Sequence, residues 1–100
     1  MIVIYTASKN MKEAKKTAEA LLEKKLVACI NMFPVSSMYK WKGKMQNVRE
    51  IAMILKSNKN FKSIEKEIRR ISSYEIPCII ELDVENVNKV FDLWVKEELK

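Results

Sequence analysis

The chain has 100 residues, 48% hydrophobic and 32% charged, with a formal net charge of +6. This is a globular balance that fits a single domain over residues 1–100, and no apolar run is long enough to span a bilayer. There is no histidine, and the two cysteines, Cys29 and Cys78, lie outside any C-x-x-C array, which argues against a zinc site or a redox dithiol.

"IVIYT" (2–6) is a short β-branched run bounded by Ala-Ser-Lys-Asn and reads as a buried strand. No basic leader precedes it, so it does not read as a signal peptide, and a cytoplasmic protein is expected. Asn10 followed by Glu13 has the form of a capping box. Met11, Ala14, Ala18, Leu21 and Leu22 then recur at helical spacing with lysines and glutamates between them, predicting an amphipathic helix that ends near Lys25.

"LVACINMF" (26–33) is strand-like, and Pro34 should bend or bulge it, since a central strand would not otherwise tolerate proline. "SSMYKW" continues the strand, and Gly43 in "KWKGKMQN" suits a turn needing positive φ. "REIAMILKS" (49–57) returns, so 26–57 reads as one long, bent hairpin. Asn60 caps a second helix with the stripe Phe61, Ile64, Ile68 and Ile71, which Ser72 and Ser73 end. "PCIIELDV" is a fourth strand. Val87, Val90, Phe91, Trp94 and Val95 fit a C-terminal helix.

The order β-α-β-β-α-β-α predicts an α+β, ferredoxin-like βαββαβ sandwich with an extra C-terminal helix. Its inner strands are apolar on both faces. Ala28, Ile30 and Met32 oppose Val27, Cys29 and Asn31, while Ile51, Met53 and Leu55 oppose Ala52 and Ile54. A solvated face would alternate with polar residues. With one short helix to spare, a partner subunit is the expected cover for the second face.

That topology hosts many functions, and the residues must discriminate among them. An RNA-recognition module would carry stacking aromatics in its third strand, but "REIAMILKS" has none, and Tyr5 alone is a poor remnant. The positive charge is interleaved with glutamates along the helices, as on a solvated surface, so no nucleic-acid partner is expected. The first loop, "TASKNMKEA", lacks both the cysteines of a heavy-metal-associated domain and the glycine-rich, arginine-bearing anion loop of an acylphosphatase. A cysteine nucleophile would need a base such as histidine. The protein is expected not to be an enzyme.

Polar and aromatic residues concentrate in the hairpin and before the fourth strand. Alternation places Ser37, Tyr39 and Trp41 on one face, and Glu50 and Lys56 on one face of the neighbouring strand. One reading is cross-strand packing with a surface ion pair. The other is an inter-subunit cleft for an anion or a metal, with Lys56 supplying positive charge.

At these residues the sequence resembles the CutA family of divalent-cation tolerance proteins. "LVACIN" (26–31) is similar to the family's L-x-A-C-x-N, and "SSMYKWKGK" (36–44) to its S-x-Y-x-W-x-G-K. Glu50 with "ILKS" (54–57), "YEIP" (74–77) and "VFDLWV" (90–95) follow in order and at family spacing. The resemblance implies a ferredoxin-like homotrimer, similar in architecture to the PII signalling proteins, that acts in the response to copper and other divalent ions. It brings no agreed enzymatic activity. With apolar runs this short, no membrane partner is expected. The sequence also departs from the family pattern. Ser72 stands at the histidine of H-x-Y-E-V-P-E and Cys78 at its second glutamate. Tyr5, Ile71 and Ser72 stand where some bacterial members have copper ligands, so that copper site does not carry over.

Cys29, Cys78, Glu75 and Glu50 remain as candidates for a soft or hard metal ion. Tyr39, Trp41, Lys56 and Tyr74 are the candidate ligand cleft. No cofactor is fixed beyond a copper or other divalent ion bound weakly or indirectly. The alternatives are a PII-like trimeric sensor binding a small organic anion in the inter-subunit cleft, or an adaptor trimer without a ligand.

Overall fold

The computed structural model describes residues 1–100. The elements are β1 (Ile2–Ser8), α1 (Met11–Glu23), β2 (Cys29–Trp41), β3 (Lys44–Ser57), α2 (Phe61–Ile71), β4 (Ile79–Leu82) and α3 (Lys89–Glu98). The strands form one sheet in the order β2-β3-β1-β4, with every neighbouring pair antiparallel.

Both long helices begin on asparagine caps. Asn10 Oδ1 accepts the Glu13 N–H and Asn60 Oδ1 the Ser63 N–H, each at 2.9 Å. The first cap is only half a capping box. The Glu13 carboxylate does not return to Asn10 but accepts the Ser73 N–H at 3.1 Å, tying the segment before β4 to α1. Lys24 ends α1, and Lys25 follows at φ 54, with Leu26 N–H bonding Leu21 C=O and Lys25 N–H bonding Leu22 C=O. That is a Schellman closure with lysine where glycine is usual.

The apolar stripes of α1 (Ala14, Ala18, Leu21) and α2 (Ile64, Ile68) pack onto Ile4, Met53 and Leu55, forming the core on one face of the sheet. Each large side chain there contributes about 1.5–3 kcal/mol through burial. Across the helix faces Glu67, buried, accepts from Lys24 at 2.9 Å and from Arg70 at 2.7 Å.

Several expectations change. Pro34 causes no bulge, and the β2–β3 register runs unbroken through Pro34↔Ile51. β2 is an edge strand rather than a central one, and an edge tolerates a residue without an N–H. β2 starts at Cys29, so strand alternation does not yet apply at Val27, which is buried in the helix-side core. β3 starts at Lys44, which lengthens the hairpin into an arm reaching beyond β1. β4 is only Ile79–Leu82, and it meets β1 from Val3 to Thr6. α3 starts at Lys89, not Val87.

The other face of the sheet carries Val3, Tyr5, Phe33, Ala52, Ile54 and Ile80, as the register requires. No helix covers it. Phe33 is 38% exposed and Ile80 48%.

Candidate functional site

The hairpin turn sets the site's outer wall. Trp41 pairs with Lys44 across a two-residue loop, Lys42 at φ 51 and Gly43 at φ 79. Positive φ at both positions is the I′ turn that matches strand twist, and it fixes the arm's register. With that register Ser37, Tyr39 and Trp41 share the second sheet face with Gln46 and Glu50, as Tyr39↔Gln46 and Val35↔Glu50 show.

The opposite wall is the segment between α2 and β4. Ser72 Oγ accepts the Tyr74 N–H at 3.2 Å, and Thr6 Oγ1 donates to the Cys78 carbonyl at 2.7 Å. Together with the Glu13–Ser73 bond these hold 72–78 against β1. Tyr74 Oη then donates to Glu50 Oε2 at 2.5 Å, closing the gap between segment and arm.

Between these walls lies a cavity of about 560 Å³. Tyr39, Trp41, Gln46 and Glu50 line it from the arm, with Ser37 at its side. Tyr5 and Ala7 form the floor, and Tyr74, Glu75, Ile76 and Cys78 the far wall. Burial, with help from the Glu50 bond and charge, pushes the Tyr74 phenol well above its usual range, so it stays a neutral donor. The Cys78 thiol is pushed up by burial and then by the Glu50 charge.

The candidates from sequence therefore divide. Tyr39, Trp41 and Tyr74 come together with Glu50, Glu75 and Cys78. Lys56 and Cys29 do not join them. They pair with each other at the far end of β2, twelve residues or ~40 Å of strand from Trp41, against a longest dimension of 45 Å for the protomer. There Lys56 Nζ lies 3.8 Å from Cys29 Sγ and donates to Asn31 Oδ1. The anion reading of the cleft thus loses its cation within one protomer, and the two thiols form no common set. No group of three His, Cys, Asp or Glu side chains lies close enough to hold a metal ion. The residues of one protomer do not fit a metal centre.

Ala7, Gln46 and Ile76 are not anticipated from the sequence as lining residues, and Tyr5 figures there only as an RNA-binding remnant and as the residue at a copper-ligand position of some bacterial members. The parity of Gln46 with Glu50 was available in the sequence. The approach of Ile76 depends on the path of an irregular segment and was not.

A family model described as "CutA1 divalent ion tolerance protein" matches residues 2–98. The chain belongs to the CutA family. The CutA of Archaeoglobus fulgidus is 38% identical over 98 residues, covering 97% of this chain and 96% of that one. The CutA of Thermotoga maritima is 37% identical over 100 residues, covering 99% of each. Among solved structures, that of the A. fulgidus CutA, described as periplasmic, superposes with a TM-score of 0.95 over the whole of both chains at 37% identity. The Nostoc protein described as a PII-like CutA superposes at 0.90, with 26% identity, over 100% of this chain and 98% of that one. Within this CutA fold Ser72 holds the backbone of Tyr74 by its hydroxyl, while Cys78 contributes its carbonyl to Thr6 and its thiol to the cavity. No helix is long and apolar enough to cross a membrane.

Proposed function

We propose that this CutA chain is a homotrimeric, non-catalytic ligand-binding protein of the divalent-cation response. The observation that carries the reading is the cavity between the arm and segment 74–78. Its size suits a small molecule, and several apolar walls with a few convergent polar groups are what such sites share. The family description supports the metal-response context, and the likeness to a PII-like CutA supports a sensing mode. The exposed apolar side chains Phe33 and Ile80 on the second sheet face support a trimer. A raised thiol pKa at Cys78 and a neutral phenol at Tyr74 support a binding site rather than a nucleophilic one. Two free thiols suit a reducing cytoplasm.

Direct metal binding is the second reading, favoured only by Glu50, Glu75 and Cys78 sharing one cavity. It would be weak. Titration with Cu(I), Cu(II) and Zn, on wild type and on Cys29→Ser/Cys78→Ser, tests it. We expect no affinity tighter than micromolar and no change in the double variant. The ligand-binding reading is tested by a thermal-shift screen of amines, carboxylates and nucleotides, since a ligand of the native state raises its stability. Silence across that screen would leave an adaptor trimer without a ligand.

A further inference from the structure

We infer that the cavity recognises an organic cation, a primary or quaternary ammonium with a hydrocarbon body, seated among the Tyr39, Trp41 and Tyr74 rings against the Glu50 and Glu75 carboxylates. The inference rests on the ligand-binding reading above and names the class of ligand.

The chain carries 19 lysines and arginines against 13 acidic residues, yet the cavity lining holds two glutamates and no basic side chain. The arrangement therefore runs against the composition. Neither glutamate enters an ion pair within the protomer. Glu50 takes only the Tyr74 hydroxyl, on Oε2, leaving Oε1 without a protein donor. Burial raises both neighbouring acids, Tyr74 and Cys78, and the Glu50 carboxylate adds to it.

The rings supply the second attraction. Aromatic faces draw cations, more so where water is displaced. Trp41 already does so: Lys42 Nζ lies 5.8 Å from its ring centroid. A small inorganic cation is the poorer fit, because it needs more than two oxygen ligands and cannot use aromatic walls. An ammonium keeps its charge beside the carboxylates and buries its carbon on Tyr5, Trp41 and Ile76. An anion would face two carboxylates, with Lys56 at the other end of the strand.

Calorimetry and Trp fluorescence with benzyltrimethylammonium, benzyl alcohol and phenylacetate, on the full chain in its native assembly, decide the matter. The cation should bind at least about tenfold more tightly than the alcohol, and phenylacetate should bind more weakly still. Glu50→Gln should weaken the cation about tenfold, and Trp41→Leu by about 3- to 30-fold, with Lys56→Ala neutral. Glu75→Gln, on an exposed loop, gives a second carboxylate variant should Glu50→Gln perturb the fold, which circular dichroism reports. Preference for phenylacetate or benzyl alcohol, or undiminished cation binding in both glutamine variants, overturns the cation inference and leaves the pocket reading intact. Binding of none of the three probes overturns both.

Discussion

The Tyr74 hydroxyl donates to Glu50 Oε2 at 2.5 Å across twenty-four residues of sequence, and it joins the loop before β4 to the hairpin arm. The bond ends on an ionised acceptor and is half-buried, so it is worth more than an ordinary surface bond. Tyr74→Phe should lower stability by about 1–2 kcal/mol in urea denaturation and loosen the cavity wall.

The same bond sets a signature at high pH. The folded phenol titrates above its unfolded value of 10.0, so its stabilisation is complete below that pH and is lost as pH rises toward the folded value. Alkaline absorbance titration should show a late phenol component, and that component should vanish in Tyr74→Phe. A titration with no late component, or one that keeps it in Tyr74→Phe, would contradict the bond.

Glu67 gives the opposite sign. Hydrogen bonds from Arg70 and Lys24 bring its carboxyl down to about 2, against burial, from an ordinary 4.5. Its contribution is present above pH 4.5 and is lost as pH falls toward 2. Glu67→Gln should cost about 1 kcal/mol at pH 7, since both cationic partners are more than half exposed, and the deficit should shrink in acid. Equal deficits at both pH values would rule this out.

Two lysines, Lys25 and Lys42, hold left-handed backbone that glycine or asparagine adopts more easily. Lys25→Gly and Lys42→Asn should each stabilise by up to about 1 kcal/mol in thermal denaturation, the second by sharpening the I′ turn. Gly43→Ala should destabilise by about 1 kcal/mol although its surroundings are open, because the penalty is in φ.

Burial of the second sheet face by a partner is testable at one residue. Ile80, 48% exposed in β4, becomes a buried charge in Ile80→Asp if copies pack there. Light scattering should report a trimer for wild type and a smaller species for the variant. A wild-type monomer at micromolar concentration would overturn the trimer.

Much of this was legible in the sequence because it is local. Asn10 and Asn60 lie just ahead of apolar stripes and cap as expected, and Gly43 marks the turn that puts Tyr39, Trp41 and Glu50 on one face. Parity fixes a face but not a distance along it, which is why Lys56 looked like a neighbour of Trp41 and is not. Pro34 was misjudged because the position of β2 at the sheet edge depends on how the strands assemble. The ends of β4 and α3 were misjudged because 83–88 has no periodicity to end an element on.

The arm has a consequence for how the chain opens. From Val35↔Glu50 outward, the two strands have only each other, since β1 ends at Ser8 opposite Ile51. Isolated two-stranded ribbons are marginal in water. Amide protons should therefore exchange on a gradient, slowest near Met53 and fastest toward the turn, and the gradient should flatten as protein concentration rises and neighbouring copies shield the ribbon.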